Sequence, residues 1–229
     1  MRVALIGYGK MGKAIEKVAL LRGYEITARV RSGSWDPEGI VRADVCMEFT
    51  EPASAVDNIS RLARMKKEIV IGTTGWDDRV DTVRRIVEEE GTGAVYGSNF
   101  SIGIHLFCAC MSYVSRLMDR FEEYDPAGID LHHKDKKDAP SGTALMIADI
   151  VRANMKRVDS VPFTSVREGD VAGTHTVRFD SPRDTLSLSH QAKNREGFAV
   201  GALQGAEWLS GKKGLYLFSD FLAQKINAP

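Results

Sequence analysis

The chain has 229 residues, enough for one large or two modest domains, each with its own core. Lysine plus arginine and aspartate plus glutamate both come to 31, so no global positive excess marks a nucleic-acid binder, and 43% hydrophobic residues is an ordinary globular share. No apolar run approaches the ~20 residues of a membrane helix, and the opening "MRVALIGYG" lacks the layout of a signal peptide, so a soluble cytoplasmic protein with no membrane partner is expected. Cys46, Cys108 and Cys110 cannot all pair, and the last two lack C-x-x-C spacing, so they read as buried structural thiols.

In chain order, "RVALIG" reads as a buried strand, "KMGKAIEKVALLRG" as a helix with Met11, Ile15 and Val18 on one face, and "YEITARV" as a second strand. "ADVCMEFT" is a third strand, and the next helix carries Val56, Ile59 and Leu62. "EIVIGTT", "DDRVDTVRRIVEEE" and "GAVYGS" continue as strand, helix and strand. Such alternation implies parallel βαβ units covered on both faces, a doubly wound α/β domain. "SIGIHLFCACMSYVSRLMDRF" then reads as one long amphipathic helix through Ile104, Phe107, Met111, Val114, Met118 and Phe121. Strands follow in "GIDLHH", "VPFTSV", "THTVRF" and "TLSLSHQA", interrupted by a helix after Ser141 with Leu145 and Ile147 to Ile150 able to face a core. "REGFAVGALQGAEWLSG" and "LYLFSDFLAQKI" close the chain as two helices. The second half is therefore mostly β.

"GYGKMG" places Gly7, Gly9 and Gly12 in G-x-G-x-x-G spacing between a strand and a helix. Gly7 suits the tight turn, Gly9 lets backbone approach a pyrophosphate, and Gly12 permits close helix packing, while the helix start supplies free N–H donors. An acid about 20 residues on would hold the ribose 2′-hydroxyl of NADH. The second strand ends instead in "TARVRSGS", where Arg29 and Arg31 offer guanidinium groups suited to a 2′-phosphate; either could equally be a solvated arginine.

The stretch "IDLHHKDKKDAPSGTALMIADIV" carries the chemistry. Ser141 is a capping residue after Pro140, and the N–H groups of Gly142 and Thr143 would lie at the positive end of a helix. Just upstream stand His132, a residue type that titrates near neutral pH, and Lys136, a compact cation. The helix end and lysine suit carboxylates, and the histidine suits protonation of the carbon next to one that receives hydride. The substrate expected is a small polycarboxylate. A solvated lysine-rich loop remains open on spacing alone. A metal fits less well, because adjacent histidines on a strand face opposite ways and no cysteine or carboxylate pair at plausible spacing completes a ligand set.

"HHKDKKDAPSGTA" closely resembles the signature of the dihydrodipicolinate reductases (4-hydroxy-tetrahydrodipicolinate reductases), and "GYGKMG", "EFTEP", "GTTGW", "SNFSIG", "REGDVAGTHTVRF" and "NREGFAVGALQGAEWL" extend the likeness along the chain. The resemblance implies a Rossmann-type domain of residues 1–101 and 203–229. It also implies a substrate-binding and oligomerisation domain of residues 102–202, α+β with a mixed sheet, that builds a homotetramer. It implies NAD(P)H-dependent reduction of 4-hydroxy-tetrahydrodipicolinate in lysine and diaminopimelate biosynthesis. By the same resemblance His132 and Lys136 are catalytic, and His133, Gly142 and Thr143 bind substrate carboxylates. Gly7, Gly9, Lys10, Met11, Gly12, Gly72, Thr73, Thr74, Gly97, Ser98, Asn99 and Phe100 bind cofactor, with Arg31 closest to the family's basic position, and no metal is required. Asp130 stands where many members have glutamate. NADPH is expected to be preferred, with NADH still used. Another NAD(P)-dependent dehydrogenase or a non-catalytic NAD(P)-sensing protein would share the phosphate loop but not the signature.

Overall fold

The computed structural model describes residues 1–32 and 34–226. In order the elements are β1 (Arg2–Ile6), α1 (Lys10–Leu21), β2 (Glu25–Val30), α2 (Pro37–Arg42), β3 (Val45–Glu48), α3 (Pro52–Arg64) and β4 (Glu68–Ile71). A 3-10 turn, Asp77–Arg79, then leads into α4 (Val80–Glu89), β5 (Gly93–Tyr96) and α5 (Ile102–Met118). β6 (Asp125–His132), α6 (Gly142–Asn154), β7 (Phe163–Arg167), β8 (Thr174–Asp180) and β9 (Thr185–Gln191) follow. The chain closes with α7 (Glu196–Leu209), β10 (Gly214–Leu217) and α8 (Phe218–Ile226). Two compact units result: Met1–Ile102 with Arg195–Pro229, and Gly103–Asn194.

The first unit is a parallel six-stranded sheet in the order β10-β5-β4-β3-β1-β2. Alternation along each strand divides its side chains between two cores. Ala4, Ile6, Ile69 and Ile71 pack with Ile40 of α2, Ile59 and Leu62 of α3 and Val83 of α4. Val3, Leu5 and Val70 pack with Ile15 and Val18 of α1, Leu203 of α7 and Phe218 and Phe221 of α8. Both faces are covered, which is why the strands read as continuous apolar runs. Truncating a fully buried residue such as Leu5 to alanine would cost about 2–5 kcal/mol. The chain returns to this unit at Arg195, earlier than the expected residue 203, because the whole of α7 packs here through Ala199, Ala202, Ala206 and Leu209.

The last stretch differs from the expected single helix. Gly214–Leu217 is a strand pairing in parallel with β5, from Gly214 opposite Gly93 to Leu217 opposite Tyr96, and the helix begins only at Phe218. Leu215 turns to one core and Tyr216 to the other, an alternation that a helix could not provide.

The second unit is a mixed four-stranded sheet, β7-β6-β8-β9, with β6 and β7 parallel and the other pairs antiparallel. One face is buried: Val177 and Phe179 of β8 pack against Ile104, Phe107 and Met111 of α5 and Ile147 and Val151 of α6. Phe121 lies beyond the end of α5 and is exposed, and Leu145 is also exposed, because the buried stripe of α6 runs through Ala144, Ile147 and Val151. Among the cysteines only Cys46 is fully buried; Cys108 is half-buried and Cys110 exposed. No helix among the described residues is long and apolar enough to cross a membrane.

Candidate active site

The first unit presents a cavity of about 740 Å³ at the carboxyl ends of β1, β2 and β3. Gly7, Gly9 and Arg31 line it, with Tyr8, Ser32, Ser34, Trp35, Thr50, Glu51, Asn58 and Arg61. The three glycines do different work. Gly7 has φ +98°, and a Cβ there would sit 2.1 Å from the Phe49 carbonyl oxygen; a Cβ on Gly12 would sit 2.3 Å from the carbonyl oxygen of Gly7. Gly9 caps α1 without any side-chain hydrogen bond, and a Cβ on it would meet nothing within 4 Å. The open backbone of Gly9 and the uncapped N–H groups of α1 fit a dinucleotide pyrophosphate. The two arginines of β2 and the turn after it part company. Arg29 is bound through Nε to Glu16 Oε1 at 2.7 Å, whereas Arg31 lies 5.1 Å over the Tyr8 ring and pairs with no carboxylate among the described residues.

In the second unit, the pleat of β6 puts Asp130 and His132 on the buried face and turns His133 to the half-exposed face. The antiparallel register sets His175 of β8 directly opposite Asp130. Asp130 Oδ1 lies 2.8 Å from His132 Nδ1 and 3.3 Å from His175 Nε2. Its Oδ2 accepts from Arg167 Nη2 at 2.8 Å and from the Ser141 backbone N–H at 2.9 Å, and Oδ1 accepts from the Ser141 hydroxyl at 2.8 Å. Ser141 Oγ in turn caps α6 by accepting from Ala144 N. Burial alone would raise the Asp130 carboxyl, but Arg167 and the two Ser141 donors outweigh it and hold it at about 2. Burial pushes His132 below its ordinary value; Asp130 opposes this, and Lys136 and Arg167 add to it. His175 is driven down to about 4, chiefly by burial.

Lys136 is half-buried, with Nζ 2.8 Å from Asp138 Oδ1. That lysine holds the Asp138 carboxyl below its usual range, and the Gly142 N–H at the start of α6 contributes. These two donors therefore already share a carboxylate. Asp130, His132 and His175 bring donor atoms within 4.8 Å of one another, close enough for a metal ion, a grouping not foreseen from the sequence because His175 comes from a distant strand. Arg167 and Ser141 already claim the carboxylate, which suits a proton network better than a cation.

Residues 1–100 match the family description "Dihydrodipicolinate reductase, N-terminus" and residues 103–222 match "Dihydrodipicolinate reductase, C-terminus". The chain belongs to the dihydrodipicolinate reductase family. A 4-hydroxy-tetrahydrodipicolinate reductase of Christiangramia forsetii is 34% identical over 234 residues, covering 97% of this chain and 98% of the relative. One from Neisseria gonorrhoeae is 33% identical over 201 residues, 80% and 74% of the two chains. In fold, the chain is similar to a dipicolinate-bound dihydrodipicolinate reductase from Paenisporosarcina sp. TG-14, with TM-score 0.77 at 22% identity over 95% of this chain and 97% of that one. Dihydrodipicolinate reductases are oxidoreductases that use a nicotinamide cofactor, and the glycine cradle of the first unit fits one.

Not every expected cofactor residue lines the cavity. Lys10 is exposed at the start of α1, while Met11 packs against the core. Gly72 lies under the Phe49 ring, Thr73 accepts from Thr50 N at 2.7 Å, and Thr74 is exposed beyond β4. After β5, Gly97 packs against Phe218, Ser98 is exposed, Asn99 Oδ1 accepts from Ser101 N at 2.8 Å, and Phe100 is buried beside Phe49 and Phe218. Gly142 and Thr143 begin α6 as expected. Sequence reasoning missed Trp35 and Arg61, stacked at 3.7 Å beside the cavity, and the roles of Arg167 and His175. The signal for the last two was present, since both fall within "REGDVAGTHTVRF".

Proposed function

We propose that the chain reduces 4-hydroxy-tetrahydrodipicolinate to tetrahydrodipicolinate, consuming NAD(P)H and a proton and releasing water. The observation that carries this reading is the grouping of buried His132 with Lys136 and the N-terminus of α6, where a carboxylate, that of Asp138, is already held by the donors a substrate carboxylate would use. Gly142, Thr143, Lys136 and His133 bind the substrate carboxylates. His132 delivers a proton to the ring carbon next to the one that is reduced, and Lys136 stabilises the developing charge. When bound, the nicotinamide supplies the hydride. Gly7, Gly9, Lys10, Met11 and Gly12 hold its phosphates, with Gly72, Thr73, Thr74, Gly97, Ser98, Asn99 and Phe100 toward its other parts. NADPH is preferred over NADH, because Arg31 lies free of any carboxylate partner among the described residues on the cavity wall.

In this reading the first unit is the cofactor domain, and the second binds substrate and assembles a homotetramer in the cytoplasm. The open face of its sheet, with Ala127, Ile129 and Leu131, is the surface available for assembly. The decisive experiment follows NADPH oxidation by absorbance, with and without substrate freshly generated by the preceding synthase. Substrate-dependent oxidation is expected, and its absence would overturn the assignment. Sedimentation at micromolar concentration checks the tetramer.

A further inference from the structure

This inference deepens the proposed reaction and rests on His132 being its acid. Asp130 is fully buried, yet every polar group around it is arranged to keep it ionised: the Arg167 guanidinium on one oxygen and the Ser141 hydroxyl on the other. Ser165 Oγ adds a longer contact at 3.4 Å. The Arg167 guanidinium is itself fixed, donating also to the carbonyl oxygens of Asp130 and Asp138 at 2.9 and 2.6 Å. So the position of the carboxylate is over-determined. From it, two functional groups take their bearings. One is His132, whose Nδ1 lies 2.8 Å away; the other is Ser141, the cap that fixes the first turn of α6. At the far edge of the ring, a Cβ on residue 173 would come 2.9 Å from His132 Nε2, so glycine there leaves that nitrogen unobstructed.

We propose that Asp130 is the positioning residue of the proton transfer. It keeps a proton on the Nδ1 edge of His132, so that Nε2 is the atom that gives up and regains the transferred proton, and it locks that ring to the carboxylate-binding end of α6. In transfer the N–H bond at Nε2 breaks as the new C–H bond forms, and the ring is left neutral with its remaining proton on Nδ1. The 2.8 Å contact is not aligned as a hydrogen bond, so Nδ1 is buried without an aimed acceptor among the described residues. Catalytic hydrogen bonds commonly straighten only when substrate binds. A merely structural carboxylate would anchor Arg167 and Ser141 but would have no bearing on the histidine tautomer.

The charged and titratable groups facing His132 are Asp130 from its own strand, Lys136 from the following loop, Arg167 from β7 and His175 from β8. Only Asp130 favours the protonated ring. Asp130→Asn keeps the shape and removes that charge, so the loss of kcat/KM at high pH, which tracks deprotonation of the acid, should move to lower pH by roughly one unit. The turnover at neutral pH should fall about 10–100-fold while KM for NADPH is unchanged. Asp130→Glu restores the charge and should return the pH limb toward that of wild type. Independently of turnover, imidazole 15N spectra, with His132→Gln to assign the signal, should show neutral His132 protonated on Nδ1 in wild type and not in Asp130→Asn. A neutral wild-type ring protonated on Nε2, or an Asp130→Asn enzyme whose limb stays in place, overturns the positioning role. If wild type is inactive with the imine dicarboxylate, the proposed reaction falls, and the tautomer still decides this inference. Should Asp130→Asn fail to fold, the wild-type spectrum and Asp130→Glu decide it.

Discussion

Glu48 and Asp130 are both fully buried carboxyls near the carboxyl ends of strands, one in each unit. Burial pushes both the same way, yet they end on opposite sides of the ordinary range. Glu48 is raised by burial; only neutral partners oppose it, the Thr50 hydroxyl and the Asn58 amide on Oε1 among them, and Oε2 has no partner among the described residues. Asp130 has a guanidinium, and it stays ionised at about 2. The difference teaches that a hydroxyl and an amide on one oxygen do not offset desolvation at Glu48, whereas a guanidinium together with the two Ser141 donors, shared between both oxygens, does so at Asp130. Thr50 and Asn58, which hold Glu48, also line the cavity beside the glycine loop. On the proposed reaction the second unit would move a proton and bind carboxylates, work that calls for fixed charge.

On the proposed reading the largest losses follow changes to side chains of the second unit, because the glycine loop would meet a cofactor mainly through backbone. His132→Gln should lower turnover about 10²–10⁴-fold with NAD(P)H binding, read by fluorescence titration, within about twofold of wild type. Near-normal turnover in the folded variant would remove its acid role.

Lys136→Ala comes next, with losses in both kcat and substrate KM that multiply to roughly 10²-fold in kcat/KM. Pyridine-2,6-dicarboxylate should inhibit competitively and more strongly than pyridine-2-carboxylate, and the gap should shrink in this variant. Equal inhibition by the two would break the two-anchor picture of Lys136 and the start of α6.

The same contrast explains what was legible beforehand. The first unit could be read nearly whole, since parallel strands covered on both faces announce themselves as short apolar runs and the glycine loop has fixed spacing. The exceptions were the short α2, Pro37–Arg42, for which no helix was expected, and β10, whose Leu215–Leu217 run joins α8 directly without any polar break. In the second unit, His132, Lys136 and the capped helix were visible because they lie within one continuous stretch. The Asp130 network was not, because its members come from β6, β7, β8 and the cap of α6 and meet only through strand register. Alternation along β6 would have placed Asp130 beside His132, and "REGDVAGTHTVRF" marked the stretch that holds Arg167 and His175, but only strand register shows that both meet Asp130.

Side chains at the cofactor cavity should matter less. Arg31→Ala is expected to reduce kcat/KM with NADPH by about tenfold and with NADH little, because an exposed charge contact is screened and the backbone loop serves both cofactors. Arg29→Ala, whose guanidinium is occupied by Glu16, should affect the two cofactors alike. Wild-type preference for NADH, or equal losses with both cofactors in Arg31→Ala, would sink the 2′-phosphate assignment.

The smallest effect tests the comparison itself. A carboxyl whose folded value is raised contributes stability below its unfolded value and loses it as pH rises through the folded value, whereas one whose folded value is depressed contributes above its unfolded value and loses it as pH falls. Glu48→Gln removes a group whose ionised form is penalised by burial, so its Tm relative to wild type should become more favourable as pH rises above the ordinary glutamate range. Asp130→Asn removes a carboxylate stabilised by Arg167, so its Tm deficit should be full near neutral pH and shrink as pH falls from about 4 toward 2. The two difference curves must therefore slope in opposite directions. Parallel curves would mean that the two buried acids meet the same electrostatic environment, and that Arg167 does not set the charge state on which the second unit depends.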